Sequence, residues 1–136
     1  IGFMPKGRMN FYQQYEYFSI MIKPELLEKL ITFRGERDWE QFHTPKELAI
    51  SVSIEAAELL EWFQWKTEQQ VAEHLQTKKR QDLEDEIADV AVYLSYLCHD
   101  LDIDLNKIVE AKCQKNAEKY PVEKVKGRNN KYTDYF

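Results

Sequence analysis

Glu55 and Glu58 lie three residues apart within the stretch SIEAAELLEWFQW, and Glu86 and Asp89 repeat that spacing further along the chain. On a helix, residues three apart sit ~60° from one another around the axis, so each pair turns two carboxylates toward one side. Two such helices packed antiparallel bring four carboxylates together, and their repulsion then requires cations to offset it. Oxygen-only ligation of this kind favours Mg²⁺, with Mn²⁺ as its substitute, over softer metals. An isolated Glu-x-x-Glu is an ordinary solvated helix face. These two differ because both lie in strongly apolar stretches, where an unpaired acid is costly. Glu61 extends the row, either facing solvent or orienting a neighbour, and Glu84 and Asp85 read as solvated.

The elements that carry these acids are legible as helices. Thr44-Pro45-Lys46-Glu47 is a helix start, with Thr as cap, Pro at the first helical position and Glu placed to complete a capping box. Leu48, Val52, Ala56, Leu59 and Phe63, flanked by Ile50, Ile54 and Ala57, make an apolar face too wide for a surface helix, which predicts burial on more than one side. A polar connection or short helix follows. A second long helix is expected from about Asp82 to Asp100, with Leu83, Ile87, Val90, Leu94 and Leu97 as its core stripe. Asp104 suits the cap of a third, running to Tyr120 and stopped by Pro121. An earlier helix starts at Pro24.

Four Gly and four Pro in 136 residues, and long runs of Glu, Leu, Ala, Lys and Gln, point to an all-α helical bundle. Helical patterning sets in near Met21, so residues 1–20 read as an N-terminal arm or expression-derived segment and 21–136 as one domain. Without an apolar run of ~18–20 residues or a secretory signal pattern, the expectation is a soluble, cytoplasmic protein with no membrane partner. Cys98 and Cys113 lack metal-ligand spacing and read as buried thiols. From Glu55 to Asp89 there are ten acidic and four basic residues; from Lys112 to Phe136, seven basic and three acidic. An acidic middle and a basic tail suit a metal-bound polyphosphate rather than nucleic acid, which favours a broader basic stripe. Asp100-x-Asp102-x-Asp104 is no EF-hand, because Leu105 and Ala111 stand where Gly and Glu are needed, so turn and cap roles remain for these acids. Glu40-x-x-His43 is half of a di-iron pattern whose second half is missing.

The spacing of Glu55-x-x-Glu58 and Glu86-x-x-Asp89 resembles the signature of the MazG-like all-α nucleoside triphosphate pyrophosphatases. ERDWEQFHTPKELA, EWFQWK, DEIADVAVYL and KNAEKYP...KGR..KYT resemble, in order, segments of that family's dCTP-pyrophosphatase-like branch. The resemblance extends from about Met21 to Tyr135. It implies Mg²⁺-dependent conversion of an NTP or dNTP to monophosphate and pyrophosphate, with nucleotide-pool housecleaning as the role and dCTP first, then dATP or a modified dNTP, as substrate. Glu55, Glu58, Glu86 and Asp89 would then be the metal-holding and catalytic acids, one of them or Glu61 activating water. Trp39, His43 and Trp65 match base-pocket positions, Tyr93 a position near the phosphates, and Lys112 and Asn116 a polar pair on the following helix. Lys119, Lys124, Lys126, Arg128 and Lys131 would add positive potential or form a solvated tail. A homodimer or tetramer with shared sites is implied as well.

The chain departs from the branch at Ser53-Ile-Glu-Ala-Ala-Glu58, which lacks the two glycines common there, so Ser53 and Ile54 reshape the wall near the base. The alternative, a catalytically silent nucleotide sensor or oligomeric scaffold, is weakened by the intact four-acid set.

Overall fold

The computed structural model describes residues 22–129 and Thr133; the arm assigned to residues 1–20 lies outside the described residues. Among the described residues no strand occurs. The chain forms α1 (Pro24–Gly35), α2 (Pro45–Phe63), α3 (Glu68–His74), α4 (Lys79–Asp100), α5 (Leu105–Lys119) and the short α6 (Val122–Val125).

Local chemistry accounts for the boundaries. Pro24 opens α1 and Pro45 opens α2, where the missing N–H is no loss. Thr44 Oγ1 accepts from the Glu47 N–H at 3.4 Å. The Glu47 carboxylate lies 3.0 Å from Lys46 Nζ. The complete capping box is instead at α3, where Thr67 Oγ1 accepts from Gln70 N and the Gln70 side chain accepts from Thr67 N. Asp104 Oδ1 accepts from Lys107 N at 3.1 Å and caps α5, which ends at Lys119 ahead of Pro121. Helix α4 starts at Lys79, a turn earlier than its apolar pattern suggests.

α2 and α4 form the principal helix pair, and α1 rests against α4. Trp62 Nε1, near the end of α2, donates to the Lys79 carbonyl at the start of α4. Glu55 meets Glu86 and Asp89 further along, so the pair runs antiparallel. On α2, Leu48, Val52, Glu55, Leu59 and Trp62, recurring at three and four residues, are covered or partly covered, as is Ser51 beside them. On α4, Leu83, Glu86, Val90, Tyr93 and Leu97 do the same. Leu27 and Leu48 are fully buried, each contributing ~1.5–3 kcal/mol by removal from water.

Three expectations are corrected. Among the described residues, helix α2 is covered on one side only: Ile50, Ile54 and Leu60 are exposed, and Lys46, Ala49, Ile50, Ser53, Ile54 and Ala57 line an open groove of about 540 Å³. The described helices are too few to cover both faces. The stripe predicted for α4 holds at Leu83, Val90, Leu94 and Leu97 but not at Ile87, which is 50% exposed while the neighbouring Glu86 takes the partly covered place. Of the two cysteines, Cys98 is buried, but Cys113 is exposed because α5 has no buried residue.

Candidate functional site

The α2–α4 seam carries acids where apolar residues are the rule. One carboxylate oxygen from each of Glu55, Glu86 and Asp89 lies within 4.8 Å of the others. Glu86 Oε2 is shielded from solvent and has no hydrogen-bond partner among the described residues. Burial raises the Glu55 carboxyl above its ordinary range, and the charges of Asp89, Glu58 and Glu86 push it further. Glu86 is raised in the same way, by burial and then by Glu58, Asp89, Asp85 and Asp82. Glu58 is exposed and stands beside the trio, acting on it through its charge. Oxygen-only donors, mutual repulsion and an orphaned shielded oxygen together fit a hard divalent cation.

Next to the acids is a cavity of about 230 Å³ lined by Leu30, Phe33, Trp39, His43, Asp89, Val92, Tyr93 and Tyr96. Its rings form a connected set. The Trp39 and His43 centroids are 6.1 Å apart, His43 and Tyr93 6.1 Å, His43 and Tyr96 5.7 Å, and Phe33 meets Trp39 edge-on at 5.9 Å. Trp39 and His43 belong to the tight segment between α1 and α2, in which the His43 N–H donates to the Trp39 carbonyl at 3.0 Å and Asp38 turns the chain at φ 54°.

Burial and the nearby Arg34 charge lower the His43 pKa, with Asp100 opposing, so the imidazole is neutral near pH 7 and offers one donor and one acceptor. Burial, then the charges of Glu55 and Asp89, raise the Tyr93 pKa and keep its phenol protonated. The cavity therefore has aromatic faces for a flat ring, a few polar edges, and an acidic cluster at its margin through Asp89.

Of the residues singled out from sequence, the fold gathers Glu55, Glu86 and Asp89 in the cluster, Glu58 beside it, and Trp39, His43 and Tyr93 in the cavity. It does not bring in Trp65, which is 91% exposed at φ 62° and does not line the cavity. Lys112 and Asn116 lie on the exposed α5, also apart from the cavity lining. Sequence reasoning missed Leu30, Phe33, Val92 and Tyr96. Tyr96 follows Tyr93 by three residues, a spacing that placed it on the same side of α4 and was available to find it.

Comparison with known proteins gives the family. A family model described as the MazG-like family matches residues 50–135. Rattus norvegicus dCTP pyrophosphatase 1 is 41% identical over 103 residues, covering 75% of this chain and 61% of that protein. The Homo sapiens protein of the same name is 37% identical over the same extent. The chain thus spans 61% of the length of the curated relatives it matches. A crystal structure of a pyrophosphatase from Archaeoglobus fulgidus superposes with a TM-score of 0.66 at 48% identity, covering 71% of this chain and 90% of that one. The chain belongs to the MazG-like family, on its dCTP-pyrophosphatase-like branch.

Proposed function

We propose that the protein is a Mg²⁺-dependent nucleotide pyrophosphohydrolase that converts a deoxynucleoside triphosphate to its monophosphate and pyrophosphate. The observation that carries this reading is Asp89, which belongs to both the acidic cluster and the lining of the aromatic cavity, so a ligand with a flat ring and a polyanionic end fits the two together. The names of the curated relatives and of the solved pyrophosphatase support the same reaction class and make dCTP the first substrate, with dATP or a modified dNTP next. Housecleaning of the cytoplasmic nucleotide pool is the role that follows.

In this reading Glu55, Glu58, Glu86 and Asp89 hold the cation, Mg²⁺ or in its place Mn²⁺. The ion supplies charge neutralisation at the phosphate oxygens and a fixed place for them. Trp39 and His43 receive the base by stacking and edge hydrogen bonding, and Tyr93 directs its protonated phenol toward the phosphates. One of the clustered acids, or Glu61, takes a proton from water. The water oxygen bonds to the α-phosphorus, the bond from that phosphorus to the bridging oxygen breaks, and pyrophosphate departs.

A second copy of the chain completes the site. The open apolar face of α2 and the exposed α5 support this, as does Trp65, a bulky residue held in the left-handed region with its indole in solvent. Assembly as a dimer or tetramer brings Trp65, Lys112 and Asn116 to a neighbour's nucleotide.

The shared residue supplies the test. Asp89→Asn is isosteric and exposed, so helicity and melting temperature stay near wild type, while Mg²⁺-dependent turnover falls at least ~100-fold. Wild-type turnover in Asp89→Asn would remove the reading.

A further inference from the structure

Behind the cavity lies a charged pair that enters the chemistry above only through its charge at His43. Arg34, in the last turn of α1, is only 4% exposed. Its Nη1 and Nη2 donate to Asp100 Oδ2 and Oδ1 at 2.7 and 2.9 Å, a two-pronged bond between residues 66 apart in sequence. His99 Nδ1 is 2.9 Å from Asp100 Oδ1. The guanidinium also lies 4.7 Å from the centre of the Tyr96 ring, and the Tyr96 hydroxyl donates to the Leu30 carbonyl at 2.7 Å. The Arg34 carbonyl accepts from Trp39 N at 3.2 Å, which ties the segment carrying Trp39 and His43 to the same residue.

Neither Arg34 nor Asp100 lines the cavity, yet the pair joins the two helices that supply most of its walls. Leu30, Phe33 and Trp39 come from α1 and its exit; Asp89, Val92, Tyr93 and Tyr96 come from α4. A shielded ion pair is a weak source of stability compared with apolar packing, and the role it suits best is fixing register. We propose that Arg34 is a positioning residue: by clamping α1 to Asp100 it holds the aromatic cavity in register with the carboxylates of α4. The inference rests on the nucleotide reading of the site and adds a residue that sets where the base sits relative to the acids.

The test compares Arg34→Lys, Arg34→Met and Asp100→Asn with wild type, using dCTP and Mg²⁺ as probes in steady-state assays well below each variant's melting temperature. The expected result is a KM for dCTP raised about tenfold or more in Arg34→Met, partly recovered in Arg34→Lys, with the Mg²⁺ concentration for half-maximal activity unchanged. A purely structural role lowers the melting temperature and leaves KM alone. Wild-type KM in the variants that remain folded overturns the inference while leaving the nucleotide reading intact. If Arg34→Met does not fold, Arg34→Lys and Asp100→Asn decide the matter by the same readout. Failure of the wild type to bind or turn over any nucleotide overturns both.

Discussion

At the scale of single residues, the site works by placing groups where their ordinary ionisation is unfavourable. Glu55 and Glu86 occupy seam positions that apolar residues normally fill, and burial and mutual charge raise both carboxyls. His43 shows the opposite case, an imidazole whose charged form is disfavoured by burial and by Arg34. Its pKa is lower folded than unfolded, so the unfolded chain binds the extra proton first. The stability this provides is complete above the ordinary imidazole range of about 6.5 and is lost as pH falls from there toward the folded value. Denaturant midpoints should therefore decline between about pH 7 and pH 5, and His43→Gln should flatten that decline; an equal slope in the variant would show that another group is responsible. Asp100 belongs to a lower window. Burial alone would raise its carboxyl, but hydrogen bonds from Arg34 and His99, and their charge, outweigh this and hold it below the usual range. The four acids were legible because type and spacing mark them locally, whereas Trp39, His43 and Tyr93 were picked out through the family resemblance. The Arg34–Asp100 pair was not, since nothing in either segment names a partner 66 residues away.

Among the elements, α2 and α4 decide the architecture, because their seam holds both the core and the acids. Leu48 is fully buried at one end of that seam. Leu48→Ala should destabilise the chain by about 2–5 kcal/mol, read as a shift in denaturant midpoint, whereas Leu60→Ala on the exposed side of the same helix should change it by less than about 0.5 kcal/mol. Comparable costs would mean that the seam is misassigned. Helix starts were readable from sequence wherever a cap is short-range: Thr44 before Pro45 and Asp104 before α5 are both in place. The start of α4 was placed late because Lys79, Arg80 and Gln81 are polar and carry no apolar period, although they continue the helix. Helix phase was readable at Leu83, Val90, Leu94 and Leu97; the exception is one turn where Glu86 faces inward and Ile87 is left half exposed, which apolar burial alone does not predict.

For the molecule as a whole, the proposed assembly of more than one copy rests on the apolar surface of α2 that the described residues leave open and on the exposed Ile108 and Val109 of α5. Sedimentation should give the mass of a dimer or tetramer, and Ile54→Lys in the open groove should shift it toward monomer with loss of turnover; a wild-type monomer at assay concentration would count against shared sites. Composition showed that the fold is helical, yet Cys113 and Trp65 could not be placed from sequence, because their surroundings depend on what covers exposed helix faces rather than on local pattern. The central claim, that acids and aromatic cavity form one nucleotide site, is tested most directly by the products. Purified protein with Mg²⁺ is incubated separately with each dNTP and NTP in ¹⁸O-labelled water, and monophosphate, diphosphate, pyrophosphate and orthophosphate are resolved. The account predicts unlabelled pyrophosphate and a monophosphate carrying the label, fastest with dCTP; diphosphate with labelled orthophosphate, or no turnover of any nucleotide, would contradict it.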